Sequence, residues 1–263
     1  MTSHHTPRQW LGSCLLLFLV ILHVSRAAAA SDGTIDADLY GQLLEAHTRS
    51  VPEIVGTRVD YRALKESPDW KRLVRQVHAA RPSLMKRDEA TAFWINAYNI
   101  LAIELVCDHY PIDGIKQIGS FFSPVWDFEV ATIEGRTISL GGIEHQILRK
   151  RGEPRIHAAI VCASISCPPL ARTPFRSDRL DADLSAAMRG WLSNDEKGFS
   201  IDRENHIIRL SKIFDWFEKD FDSKGGVLAA IAPYLAEDDA AWIRGEGKNA
   251  SIRYFDYDWS LND

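Results

Sequence analysis

The chain has 263 residues, a formal net charge of −5 and 46% hydrophobic residues, eight of them Trp. The mild acidity argues against a nucleic-acid binder, which needs cationic groups against phosphates. The apolar content is enough for a sizeable core without covalent staples.

Residues 1–30 read as a secretory signal peptide. Arg8 supplies the positive start, residues 11–24 an apolar stretch, and Ala28, Ala29 and Ala30 a small-residue cleavage site. The expected location is therefore exported, periplasmic or extracellular. The apolar stretch is short of the about 20 residues of a comfortable membrane span, so no stable span is expected after cleavage. Retention by an uncleaved anchor is the lesser alternative. Cys14 lies at the front of the apolar stretch and would leave with it. Residues 31–263 are expected to form one globular domain. They hold 29 Lys and Arg against 36 Asp and Glu, a net charge of about −7.

In chain order, residues 36–47 have helical apolar spacing, 51–63 are extended or turn-like, and 67–80 form a helix with Ser67 as cap and Pro68 behind it. A long helix, capped by Asp88, runs to about His109 and is stopped by Pro111. Residues 128–133 and 136–139 flank Glu134-Gly135 as a hairpin. A short helix covers 141–151. Residues 156–162, apolar and bounded by Pro154 and a Ser/Pro cluster, read as a buried strand. A helix at 178–192 follows, then a hairpin of 198–201 with 206–210. Ser211 caps a helix with Ile213, Phe214, Trp216 and Phe217. A helix at 227–235 and a strand at 250–256 complete the pattern. The fold class is α+β, a single domain whose helix-rich first half packs on a small, mostly antiparallel sheet.

Polar residues interrupt apolar surfaces in three places. In the long helix, Phe93, Asn96, Ala97, Ile100, Glu104 and Cys107 share one stripe. An unpaired buried amide costs about 1–3 kcal/mol, so Asn96 and Asn99 must bond either loop backbone or a catalytic group. In the short helix, Glu144 falls on the face of Leu140, Ile147 and Leu148, with His145 beside it. Such a carboxylate is paired or has a raised pKa; it serves as a general base, as a histidine-orienting acid, or in a structural salt bridge. The third place is His157, within the apolar run that ends at Cys162. In a regular strand His157 and Cys162 face opposite sides, so a dyad between them needs a bulge.

Beyond residue 30 there are three cysteines: Cys107, Cys162 and Cys167. In an oxidising compartment an odd count leaves a free thiol or an intermolecular bridge. Cys162 and Cys167 either pair or supply a nucleophile. His145, His157, Cys162 and Cys167 are also zinc-ligand types, but their spacing matches no standard zinc pattern, and no metal or other cofactor is expected. The spacing C-x4-C also departs from the C-x-x-C of redox motifs.

Four segments carry a resemblance: FWINAYN (93–99), SLGGIEHQILR (139–149), IHAAIVCASISCPPL (156–170) and DYDWSLN (256–262). Together they resemble the bacterial, secreted branch of domain of unknown function family 547. His47 and Val59-Asp60-Tyr61 match its early portion. The resemblance implies that Asn96, Asn99, Glu144, His145, His157, Cys162 and Cys167 occupy signature positions. It implies no function.

Two functional readings follow. In the first the protein is a thiol-dependent hydrolase or acyltransferase acting on peptide or cell-envelope amide bonds. Cys162 is the nucleophile, with Cys167 as substitute. His157 is the base, Glu144 or Asn96 orients it, and Asn99 or backbone amides bind the oxyanion. In the second it is a non-catalytic binding module stabilised by a Cys162–Cys167 disulfide. The partner is an unknown protein or cell-envelope substrate.

Overall fold

The computed structural model describes residues 1–2 and 33–263, so nearly all of the segment read as a signal peptide, Cys14 included, lies outside the described residues. The first helix, α1 (Ala37–His47), starts where the Asp36 side chain accepts the Leu39 N–H. Two short strands, β1 (Thr48–Ser50) and β2 (Thr57–Val59), pair antiparallel. Helix α2 (Tyr61–Glu66) leads to α3 (Pro68–Ala79), which has the expected Ser67 cap and Pro at its first position.

Helix α4 (Arg87–His109) organises the first half. It is apolar on nearly every face, and by length and composition it would cross a membrane. Its most apolar window is instead 94% buried inside the protein, as befits a core helix. Its N-cap is Lys86, two residues before the expected Asp88, which lies in the first turn with Glu89 and favours the positive helix end. Ile95, Ala97, Ile100 and Val106 are fully enclosed. Burying each large aliphatic side chain stabilises by roughly 1.5–3 kcal/mol.

The hairpin of β3 (Glu129–Ile133) and β4 (Arg136–Ser139) forms as its turn predicts. Glu134 and Gly135 both have positive φ, the geometry of a tight two-residue hairpin turn. Helix α5 (Leu180–Leu192) packs on the turn Pro154–Ala158. Strands β5 (Phe199–Asp202) and β6 (Ile207–Leu210) pair antiparallel, and helices α6 (Lys212–Trp216), α7 (Val227–Ile231) and α8 (Glu237–Arg244) follow. The last strand, β7 (Ser251–Tyr254), joins β6 in parallel.

The result is a mixed helix-and-sheet fold, α+β as expected. Among the described residues the strands form three separate small sheets rather than one, antiparallel except at β6–β7. The core has two clusters. One surrounds α4; the other gathers α5, β5, β6, α6 and α8.

Two expectations are corrected. Residues 156–162 are not a strand: Pro154–Ala158 is a single 3-10 turn, opened by Pro154 and capped by the Glu153 side chain. An apolar run that finds no sheet partner satisfies its backbone elsewhere, here through Asn99. The helix expected at 141–151 is not α-helical. Gly142–Leu148 is a π-helical turn in which Arg149 N–H reaches back five residues to the Glu144 carbonyl. A 3-10 turn, Arg149–Arg151, completes it.

Candidate functional site

A cavity of ≈ 140 Å³ opens at the seam between the two core clusters. Glu144, His145, His157, Cys162 and Cys167 all line it. Five of the seven sequence-derived candidates thus converge, although they come from a π turn, a 3-10 turn and an irregular loop.

Asn96 and Asn99 do not line this cavity. Asn96 donates to the Phe175 carbonyl at 2.8 Å and accepts the Phe175 N–H at 3.0 Å. Asn99 donates to the Ala159 carbonyl at 2.9 Å and accepts the Val161 N–H at 2.8 Å. Each amide reproduces the paired bonds of a strand neighbour, so that neither its oxygen nor its nitrogen is left without a partner. The orienting role for Asn96 and the oxyanion role for Asn99 are corrected accordingly. Asn99 instead fixes the backbone leading to Cys162.

His157 is buried, and its ring stacks on Phe217 with centroids 4.3 Å apart. Its Nε2 meets Asp220 Oδ2 at 2.8 Å, and its Nδ1 faces Glu144 Oε1 at 3.9 Å. Neither nitrogen bonds a sulfur, so the His157–Cys162 dyad is not formed in this arrangement. Asp220, on the turn Glu218–Lys224, is the residue that orients His157. Arg149 grips both Asp220 oxygens, at 2.6 and 2.8 Å, and its Nη1 reaches His145 Nδ1 at 3.2 Å. Burial raises a carboxyl pKa, but for Asp220 the hydrogen bonds from His157 and Arg149 override it and hold the carboxyl well below its usual range. Burial lowers the His157 pKa against the pull of Asp220. Burial pushes Glu144 up to about 7, with Arg149 opposing. At neutral pH Glu144 therefore exchanges protons readily.

Cys162 and Cys167 are joined by a disulfide, with Cα atoms 6.3 Å apart. Cys162 is half-buried and Cys167 buried. Ala163, between Cys162 and Ser164, has φ +61°, a left-handed conformation disfavoured for a residue with Cβ. Strain of this kind is held by surrounding contacts, and here several are visible. Ser166 N–H donates to the Asp258 carbonyl at 3.2 Å, and Asn262 N–H to the Ala163 carbonyl at 3.1 Å. Lys197 is 2% exposed; its ammonium donates to the carbonyls of Val55, Ile165 and Cys167 at 2.9, 2.9 and 2.6 Å. Burial lowers its pKa to about 7. The bonds along 258–262 lay the C-terminal segment beside the disulfide loop and bring Tyr257 over the sulfurs. The Tyr257 hydroxyl lies 3.4 Å from Cys162 Sγ and 3.2 Å from Cys167 Sγ. Burial raises its pKa, which keeps it a protonated donor.

The remaining wall is mostly aromatic, with Tyr98, Trp126, Trp216, Phe217, Tyr257 and Trp259 beside Ile160 and Ile213. Trp216 and Trp259 stack at 5.7 Å, and Lys116 Nζ sits 4.5 Å over the Trp259 ring. The sequence pattern alone does not mark Asp220, Arg149 or this wall as site residues. Tyr257 and Trp259 do fall in the DYDWSLN motif, and Arg149 ends SLGGIEHQILR, so both motifs carried the signal. Asp220 had none, being one acid among several in 218–222.

Comparison with known proteins adds one match. The family model described as "Protein of unknown function, DUF547" matches residues 82–192. This region is similar to the DUF547 family, over less than half of the chain. It contains the π turn, His157 and both cysteines of the disulfide, whereas Trp216, Phe217, Tyr257 and Trp259 line the cavity from beyond the matched region, and Asp220 also lies beyond it, behind His157. No curated protein and no solved structure matches the chain. Cys107, outside the cavity, is buried and free; burial pushes its thiol up to about 12, so it is inert at neutral pH. Among the described residues no group of three or more His, Cys, Asp or Glu is placed to hold a metal.

Proposed function

We propose that the cavity is an active site for thiol-dependent acyl transfer, working when the Cys162–Cys167 pair is reduced. The observation that carries this reading is the convergence of Cys162, Glu144 and the Asp220-held His157 on one aromatic-walled cavity. Cys162 passes its thiol proton to Glu144, and its Sγ attacks the carbonyl carbon of the substrate; the C–N bond breaks as the thioester forms. The departing amine takes a proton from Glu144, whose pKa of about 7 suits it to give and regain one. His157 faces Glu144 and tunes that proton, and Asp220 positions His157. Water or an acceptor amine then releases the acyl group. The signal-like residues 1–30 favour an exported protein, and hence a peptide or cell-envelope amide as substrate.

The test is hydrolysis of an activated acyl ester by the reduced full chain. Cys162→Ser is expected to abolish it and Glu144→Gln to remove the limb of the pH profile near 7. Equal rates for Cys162→Ser and the unaltered chain would overturn the reading. The formed disulfide favours a second reading, a binding module stapled at this loop. That reading predicts ligand binding undiminished in the oxidised chain and no acyl transfer in the reduced one.

A further inference from the structure

The surroundings of the two sulfurs are unequal. Cys167 Sγ receives the Cys162 backbone N–H at 3.0 Å and has the hydroxyls of Ser164 and Tyr257 both at 3.2 Å. Cys162 Sγ has the same hydroxyls at 3.2 and 3.4 Å and no backbone donor. A disulfide sulfur is a weak acceptor, whereas a thiolate rewards such donors strongly. The N–H cannot rotate away, and the two hydroxyls can turn toward whichever sulfur carries charge. Exposure runs the other way, since Cys162 is half-buried and Cys167 only 2% exposed. One sulfur is placed for attack from the cavity, and the other is placed to hold negative charge.

We infer that Cys162–Cys167 is a redox-active disulfide that exchanges with an external thiol, Cys162 being the sulfur attacked and Cys167 the thiolate released. The inference goes beyond acyl transfer and does not depend on it. In the first step an incoming thiolate bonds to Cys162 Sγ. The Cys162–Cys167 bond breaks, and its electron pair stays on Cys167 Sγ, where Cys162 N–H, Ser164 and Tyr257 donate to it. In the second step another thiolate attacks the mixed disulfide. It leaves as an external disulfide, and Cys162 departs as a thiolate that takes a proton from solvent. Two external thiols are oxidised and the protein pair is reduced. Stabilising the Cys167 thiolate stabilises the reduced form, which makes the disulfide the more oxidising partner.

The test equilibrates the full chain in glutathione buffers of graded ratio, then alkylates and measures the reduced fraction by mass spectrometry. The pair is expected to titrate reversibly in the folded protein. Tyr257→Phe is expected to lower the equilibrium constant for reduction roughly tenfold, about 30 mV, and Ser164→Ala to shift it in the same direction. Cys167→Ser is expected to trap a glutathione adduct on Cys162. A pair that stays oxidised until the protein unfolds, an adduct confined to Cys167 in Cys162→Ser, or an unchanged constant in both hydroxyl variants would overturn the inference. Exchange needs no acyl substrate, so its failure is distinct from failure of the acyl-transfer reading. Glu144→Gln is expected to change ester hydrolysis and leave the glutathione equilibrium within twofold.

Discussion

Two sets of buried polar groups can be compared, the amides of α4 and the cluster around the cavity. Asn96 and Asn99 each place one donated and one accepted bond on a single stretch of backbone. Glu144 and His157 are as unwelcome in an apolar interior, yet they face each other across 3.9 Å, beyond hydrogen-bond reach, at the edge of a cavity. The first arrangement is closed, and its energy goes into holding loops. The second is left incomplete, and incomplete pairing is what shifts proton affinities. Sequence position does not separate the two sets; the partners do.

The largest effect should come from breaking the closed set. Asn99→Leu leaves the Ala159 carbonyl and the Val161 N–H unpaired and should cost about 3 kcal/mol, each orphaned group contributing about 1–3. Urea denaturation should show it, and refolded protein should keep its glutathione equilibrium. A functional loss without destabilisation would move Asn99 into the open set.

Next comes Glu144. Its pKa rises from 4.5 when unfolded to about 7 when folded, so the folded state binds the extra proton. Its contribution is fully present below pH 4.5 and is lost as pH rises through 7. Relative to Glu144→Gln, the unaltered chain should therefore lose on the order of 2–3 kcal/mol between pH 4.5 and 7. His157 acts in the opposite sense: its pKa is lowered by folding, so its contribution is lost as pH falls. Parallel melting curves of the two proteins across this range would place Glu144 with the structural amides.

A smaller change is expected for Asp220→Asn, about 2 kcal/mol, because a partly buried pair loses its charge while Arg149 keeps water access. The His157 resonance should then titrate lower still in NMR. The smallest stability effect belongs to Trp216→Ala. Trp216 is 43% exposed, so stability should fall by under about 1 kcal/mol, while binding of any aromatic-stacking ligand in the cavity weakens severalfold.

Much of the scaffold is legible in the sequence. Ser67-Pro68 and Glu134-Gly135 are local chemistry, and local chemistry sets α3 and the β3–β4 turn. The all-round apolarity of α4 announces burial wherever the rest of the chain lies. The site is less legible, because its parts depend on distant partners. The run from Ile156 to Cys162 has the composition of a strand, but its hydrogen bonds go to Asn99, which no periodicity reveals. His157 marks itself as anomalous, while Asp220, 63 residues away, looks like a surface acid. The unequal donors at the two sulfurs exist only once residues 257–262 lie beside the Ala163 turn.

The π-helical turn at Gly142–Leu148 has a consequence for how this segment tolerates change. It carries one residue more than an α-helix of the same reach would. Replacing a side chain there alters one contact. Removing a single codon would wind the turn back to α and swing every following side chain by about 100°, carrying Arg149 off Asp220. Over generations, the spacing of this short segment should be guarded more closely than its spelling.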